Sequence, residues 1–199
     1  AGDGDLRVMF PFVSSVHEVR AARALLQVAA DEVSRRGQAA GRVRVGIMIE
    51  VPSAAVTASL LAREVDFFTI GTNDLIQYTL AVDRIDARVS DRYEPMHPAV
   101  LRLIRQAQRG ATRRGIPASL CGEMASDPVL LRLLIGCGLR EFSMTPGAIA
   151  TARRVVRETN SEDMARLAAR VMALGTVEEI EALLAAEFGV GERRAVPTP

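Results

Sequence analysis

Five side chains with chemical potential share one kind of position, the C-terminal end of a strand-like run. Glu50 closes residues 43–50 (VRVGIMIE), Asn73 and Asp74 follow 65–71 (VDFFTIG), and Cys121 and Glu123 fall at and just beyond the end of 117–121. In parallel α/β folds that edge is where ligands bind. Glu50 ends a run of apolar residues, an awkward place for a carboxylate without a cation. It could instead mark the strand's emergence into solvent, or serve an ion pair. Asp74 lies in Gly71-Thr72-Asn73-Asp74, where a helix N-cap is the competing role. Capping and ligand binding do not exclude each other. Two carboxylates from adjacent strands suit Mg²⁺, which takes one or two acids and completes its octahedron with water and substrate oxygens. With no His or paired Cys nearby, Zn²⁺ does not fit. Cys121 puts a thiol on the same rim, to react there or to be buried as packing. Arg84, in the loop after residues 78–82, offers a fork for phosphate or carboxylate, or is simply solvated. His17 stands in the first turn of a helix and His97 between Met96 and Pro98; both read as surface or packing residues.

Composition narrows the chemistry further. All 25 basic residues other than histidine are arginine, because the sequence contains no lysine. That removes a P-loop, whose lysine reaches the phosphates, and a Schiff base with a carbonyl substrate. The formal net charge is +1 and aromatics make up 4% of the chain, so neither a basic stripe nor a stacking platform for nucleic acid is present. No apolar run is long enough to cross a bilayer, and no charged, apolar leader opens the chain. The expectation is a soluble, cytoplasmic protein. The two cysteines, Cys121 and Cys137, give little reason to expect a disulfide in that setting; Cys137, between two glycines after an apolar run, reads as small core filler.

The elements that must position these groups alternate between strand and helix periods, the pattern of parallel βα units. Strands are predicted at 6–11, 43–50, 65–71, 117–121 and 140–144. The second is apolar at nearly every position from Val45, as a strand buried on both faces would be. Helices are predicted from Ser15 to about Gly37, where Ser15 and Glu18 form a capping-box signature, and then at 53–63, the start of 72–93, 99–114, 127–135, 146–156, 161–173 and 176–188, the last opened by a second such pair, Thr176 and Glu179. The tail 189–199 is expected to be disordered. Five such units could make an open doubly wound sheet or part of a (β/α) barrel. A complete eight-unit barrel needs about 250 residues, and 199 are too few.

Four segments then carry a resemblance. Residues 46–52 (GIMIEVP), 66–84 (DFFTIGTNDLIQYTLAVDR), 120–125 (LCGEMA) and 141–145 (EFSMT) closely resemble the phosphoenolpyruvate-binding domain of the enzyme I family of the bacterial phosphoenolpyruvate:sugar phosphotransferase system. The match runs in order over about residues 5–188. Pyruvate phosphate dikinase and phosphoenolpyruvate synthase share the Asn-Asp-Leu and Cys-Gly-Glu elements, but residues 77–84 and 141–144 resemble enzyme I more. The resemblance implies a (β/α) TIM-type barrel of which this chain holds about the last five units plus C-terminal helices, as one partial domain over residues 1–188. It implies Mg²⁺ held by Glu50 and Asp74, Asn73 and Arg84 on the phosphoryl group, and Cys121 protonating the enol carbon to give pyruvate. It further implies an N-terminal phosphohistidine domain and three barrel strands absent from this sequence, a phosphocarrier protein as partner, a homodimer, and incomplete activity for this chain alone. Three alternatives stay open at this stage: a non-catalytic dimerisation or regulatory module of the same origin, a PEP-utilising enzyme like phosphoenolpyruvate synthase or pyruvate phosphate dikinase, and an Mg²⁺-dependent lyase acting on pyruvate enolates.

Overall fold

The computed structural model describes residues 6–39, 41–86 and 88–189. Five strands, β1 (Arg7–Phe10), β2 (Arg44–Ile49), β3 (Phe67–Gly71), β4 (Ala118–Cys121) and β5 (Glu141–Ser143), pair in parallel in the order β1-β2-β3-β4-β5. The order decides between the two architectures the sequence allowed. A doubly wound sheet reverses its strand order at a switch point and carries helices on both faces. A monotonic order with right-handed crossovers keeps every helix on one side, as in the wall of a barrel. The chain is α/β, a five-strand segment of barrel-type wall.

Side-chain burial follows that geometry. Ile47, Ile49, Phe68, Ile70 and Leu120 point to the helical side and lie in the main core, fully screened from solvent. Their neighbours on the other face, Met48, Thr69, Ser119 and Cys121, are only half-buried. Register places Met48 beside Thr69, Thr69 beside Ser119 and Ser119 beside Glu141, in one row across the open face. The Thr69 and Ser119 hydroxyls meet at 3.0 Å. The second strand is therefore less uniformly covered than its apolar sequence suggests, with Met48 partly open.

The helices are α1 (Val16–Arg35), α2 (Pro52–Val56), α3 (Ala58–Leu61), α4 (Thr72–Leu80), α5 (Pro98–Arg114), α6 (Pro128–Gly136), α7 (Pro146–Glu158), α8 (Ser161–Val171) and α9 (Val177–Phe188). Both capping boxes expected from sequence form, Ser15 with Glu18 and Thr176 with Glu179. His97 is the N-cap of α5, its Nδ1 accepting from the Ala99 N–H at 3.2 Å, and Gly115 ends that helix in the left-handed conformation glycine adopts without strain. The single helix expected over 53–63 is instead two, broken at Thr57 (φ −97°, ψ 15°). The Ser53 carbonyl accepts both the Thr57 hydroxyl at 2.7 Å and the Thr57 N–H at 3.0 Å, a back-bond of the kind that often bends helices. Of the tail expected to be disordered, Gly189 caps α9, and residues 190–199 lie outside the described residues. Among the described residues, no helix is long and apolar enough to cross a membrane.

Candidate active site at the strand tips

Register and turn geometry bring the polar tips together. One step past the pair Ile49–Ile70, Glu50 leaves β2 beside Gly71, and Gly71 is itself paired with Cys121. A Cβ on Gly71 would stand 2.8 Å from Met48 Sδ and 3.0 Å from Glu50 Oε2, so the missing side chain leaves the gap into which Glu50 projects. Gly71 is also the N-cap of α4, and no side chain caps that helix. The N-cap role considered for Asp74 is thus not the one it plays. Asp74 stands in the first turn, where the helix dipole favours a negative charge.

Glu50 is 4% exposed. Its Oε1 accepts the Phe12 backbone N–H at 2.6 Å, and among the described residues no cation pairs with it. Both mundane readings of this acid, emergence into solvent and an ion pair, are therefore excluded within the described structure. Burial raises its pKa above the ordinary carboxylate range. The Phe12 N–H opposes that, and the nearby like charge of Asp74 adds to it. Two neighbouring acids, one buried and without a counter-charge among the described residues, form a donor set suited to a hard divalent cation. Among the described residues no group of three or more His, Cys, Asp or Glu is placed to hold a metal. An ion here would take its remaining oxygens from water or substrate.

Cys121 completes the row. Its thiol is half-buried, and burial raises its pKa, with further increments from the charges of Glu50 and Asp74. It is a protonated thiol facing two carboxylates. Thr72, fully buried, donates its hydroxyl to the Cys121 carbonyl at 3.2 Å. Gly122 follows at φ +122°, and a Cβ there would lie 2.1 Å from Thr72 Oγ1 and 3.0 Å from Asn73 Oδ1. The β4 and β3 tips approach this closely because position 122 has no side chain.

Asn73 Oδ1 accepts from the Glu123 N–H at 3.3 Å and from the Tyr93 hydroxyl at 3.5 Å. Those two bonds fix which way the amide oxygen faces, toward Glu123 and Tyr93. Tyr93 was not singled out from sequence. It returns from the loop after α4, reaches the Asn73 carbonyl at 3.4 Å, and sits beside Arg84, Glu123 and Asp74. Its pKa is pushed up to about 12, mainly by burial and the Glu123 charge, with Arg84 pulling the other way. Arg84 is half-buried, and its own N–H donates to Gln77 Oε1 at 3.3 Å. Tyr93 thus ties the arginine-bearing loop to the β3 tip.

Phe12 was likewise missed, since a backbone N–H leaves no mark in a sequence. It adopts φ +58°, strained for a bulky residue, and its ring packs edge-on against Tyr78 at 5.4 Å. The structure brings Glu50, Asn73, Asp74 and Cys121 to one rim, with Arg84 at its border through Tyr93. His17 and His97 belong to helix starts, away from it.

A family model described as "PEP-utilising enzyme, PEP-binding domain" matches residues 1–161. The chain is 44% identical over 188 residues to a phosphoenolpyruvate-protein phosphotransferase of Bacillus sp. (strain S), covering 94% of this chain and 32% of that protein. A protein of the same name from Staphylococcus carnosus (strain TM300) is 45% identical over 178 residues, covering 89% and 31%. The chain spans about a third of the length of these curated relatives. Among solved structures, a citrate lyase from Burkholderia xenovorans LB400 has a TM-score of 0.55 at 18% identity, covering 96% of this chain and 65% of that one. RipC from Yersinia pestis has a TM-score of 0.52 at 12% identity, covering 77% and 65%. At such identities these two bear on the fold alone. The match over residues 1–161 places the chain in the family of PEP-utilising enzymes, as a PEP-binding domain.

Proposed function

We propose that this chain is part of the phosphoenolpyruvate-binding barrel of a phosphoenolpyruvate–protein phosphotransferase, and that the strand-tip rim is its substrate site. Glu50 and Asp74 would hold Mg²⁺, and Asn73 and Arg84 would contact the phosphoryl group. When bound, the ion neutralises phosphate charge and orients the substrate. Phosphoryl transfer asks mainly for positioning and charge compensation, and an arginine fork and an amide donor supply both. The acceptor is a histidine outside this chain. As the P–O bond to the enol breaks, the N–P bond to that imidazole forms and the imidazole gives up its N–H proton. The enolate left behind takes a proton at its methylene carbon from the Cys121 S–H, giving pyruvate, and water reprotonates the thiolate. A thiol kept protonated by burial suits a proton donor better than a nucleophile.

The observation carrying this reading is Glu50, a buried carboxyl beside a second acid and without a counter-charge among the described residues. A homodimer, a phosphocarrier protein as downstream partner and a cytoplasmic setting belong to the same proposal. Isothermal titration of phosphoenolpyruvate tests it. Binding should require Mg²⁺ and weaken at least about tenfold in Glu50→Ala, as expected when a charge-assisted contact is lost. Absence of binding with or without Mg²⁺ would favour a non-catalytic module, to which the single-sided pairing of β1 and β5 would lend itself. In the full-length protein, Cys121→Ala should keep Mg²⁺-dependent binding and lose pyruvate formation. Loss of binding in that variant would contradict the proton-donor role.

A further inference from the structure

Away from the rim, α5 presents an unusual surface. Its 17 residues include Arg102, Arg105, Arg109, Arg113 and Arg114 and no Asp or Glu, in a chain whose formal net charge is +1. The spacing of three, four and four residues sets the first four on one stripe, where like charges repel rather than support the helix; the expectation of no basic stripe fails here, because a near-zero net charge hides a local cluster. That stripe forms one wall of a cavity of about 470 Å³, with Val56 and Ser59 on the facing side. Gly110 sets the width. A Cβ there would lie 2.9 Å from Ala58 Cβ and 3.0 Å from Ser59 N, so the α5–α3 approach is close and the arginines overhang the α2–α3 break.

The commitments of the arginines differ. Arg102 closes the end of α8, donating to the Met172 and Leu174 carbonyls at 3.0 and 2.8 Å. Among the described residues, Arg105, Arg109 and Arg113 have no carboxylate partner. Other surface arginines do, as in Arg20–Glu64, Arg132–Glu158 and Arg170–Glu187. Three guanidinium groups converge on a concavity of small-molecule size without an anion of the protein's own to answer them.

We infer that this cavity is a binding site for a compact polyanion, a small molecule carrying two or more phosphoryl or carboxylate groups that guanidinium forks engage in pairs. Its ligand would join α3, α5 and the end of α8 on the outer shell, independently of the strand-tip rim.

The test is isothermal titration with pyrophosphate and, separately, with citrate, in chloride buffer at low ionic strength and without divalent cations. It uses the wild-type chain, the double variant Arg109→Gln/Arg113→Gln and Glu50→Gln. Saturable binding of at least one anion is expected, weakened tenfold or more in the double variant and unchanged in Glu50→Gln. A preference for pyrophosphate assigns phosphoryl ligands, and a preference for citrate assigns carboxylates. Both substituted arginines are exposed, so the fold should survive, as circular dichroism would check. Should it not, Arg109→Lys/Arg113→Lys keeps the charge and loses the forks, and binding should weaken severalfold. The inference is overturned if neither anion binds saturably or if the arginine variants bind as the wild type does.

Discussion

Glu50 is a buried carboxyl whose ionisation is opposed by burial and by Asp74, against the Phe12 N–H that favours it. A raised native pKa means that the folded state holds the proton more tightly than the unfolded one. The stabilisation from the protonated form is complete below the ordinary carboxylate value and is lost as pH rises through the native value. Without divalent cations, Glu50→Gln should therefore stabilise the chain at pH 7.5 by about 1–3 kcal/mol, the cost of an uncompensated buried group. The gain should vanish near pH 4. Urea denaturation at the two pH values in the presence of a chelator measures it, and an equal difference at both would refute the account. Gly122 makes the companion case. At φ +122°, with Thr72 Oγ1 2.1 Å from the position of a Cβ, Gly122→Ala should cost about 1–3 kcal/mol in backbone strain alone and more from the clash.

The elements were largely readable from pattern. All five strands and the order of the helices follow from apolar periodicity, and the capping residues at Ser15 and Thr176 place two helix starts. Ser15→Ala should cost about 1 kcal/mol in a thermal or urea melt. Reading failed where the backbone turns out of helical geometry at Thr57, and where a contact depends on the path of a loop. Tyr93 reaches Asn73 over 20 residues of sequence separation, which no periodicity encodes. Glu50, Asp74 and Cys121 were findable because a strand tip is a position that sequence does encode. The packing of α6 on α8 was also hidden. A Cβ at Gly136 would lie 2.1 Å from the Met164 carbonyl oxygen, backbone that cannot yield. Gly136→Ala should destabilise by at least about 1–3 kcal/mol and loosen α8, read as faster tryptic cleavage at Arg166 or Arg170.

Across the molecule, stability and site are arranged differently. The core lies between the convex face of β2–β4 and the helices, whereas β1 and β5 each pair on one side only among the described residues. Amide exchange should be slowest in β2–β4 and clearly faster in β1 and β5, since strands covered on both flanks open only with the whole fold. The rim draws on residues from Phe12 to Glu123, so it exists only when four strands are in place at once. A practical consequence follows from its aromatic border. The chain has no tryptophan and two tyrosines; Tyr78 stacks edge-on with Phe12 and Tyr93 touches Asn73. Both intrinsic fluorophores adjoin the same rim, with no indole emission to mask them. The tyrosine signal of the unlabelled protein is thus a built-in reporter for anything that settles there.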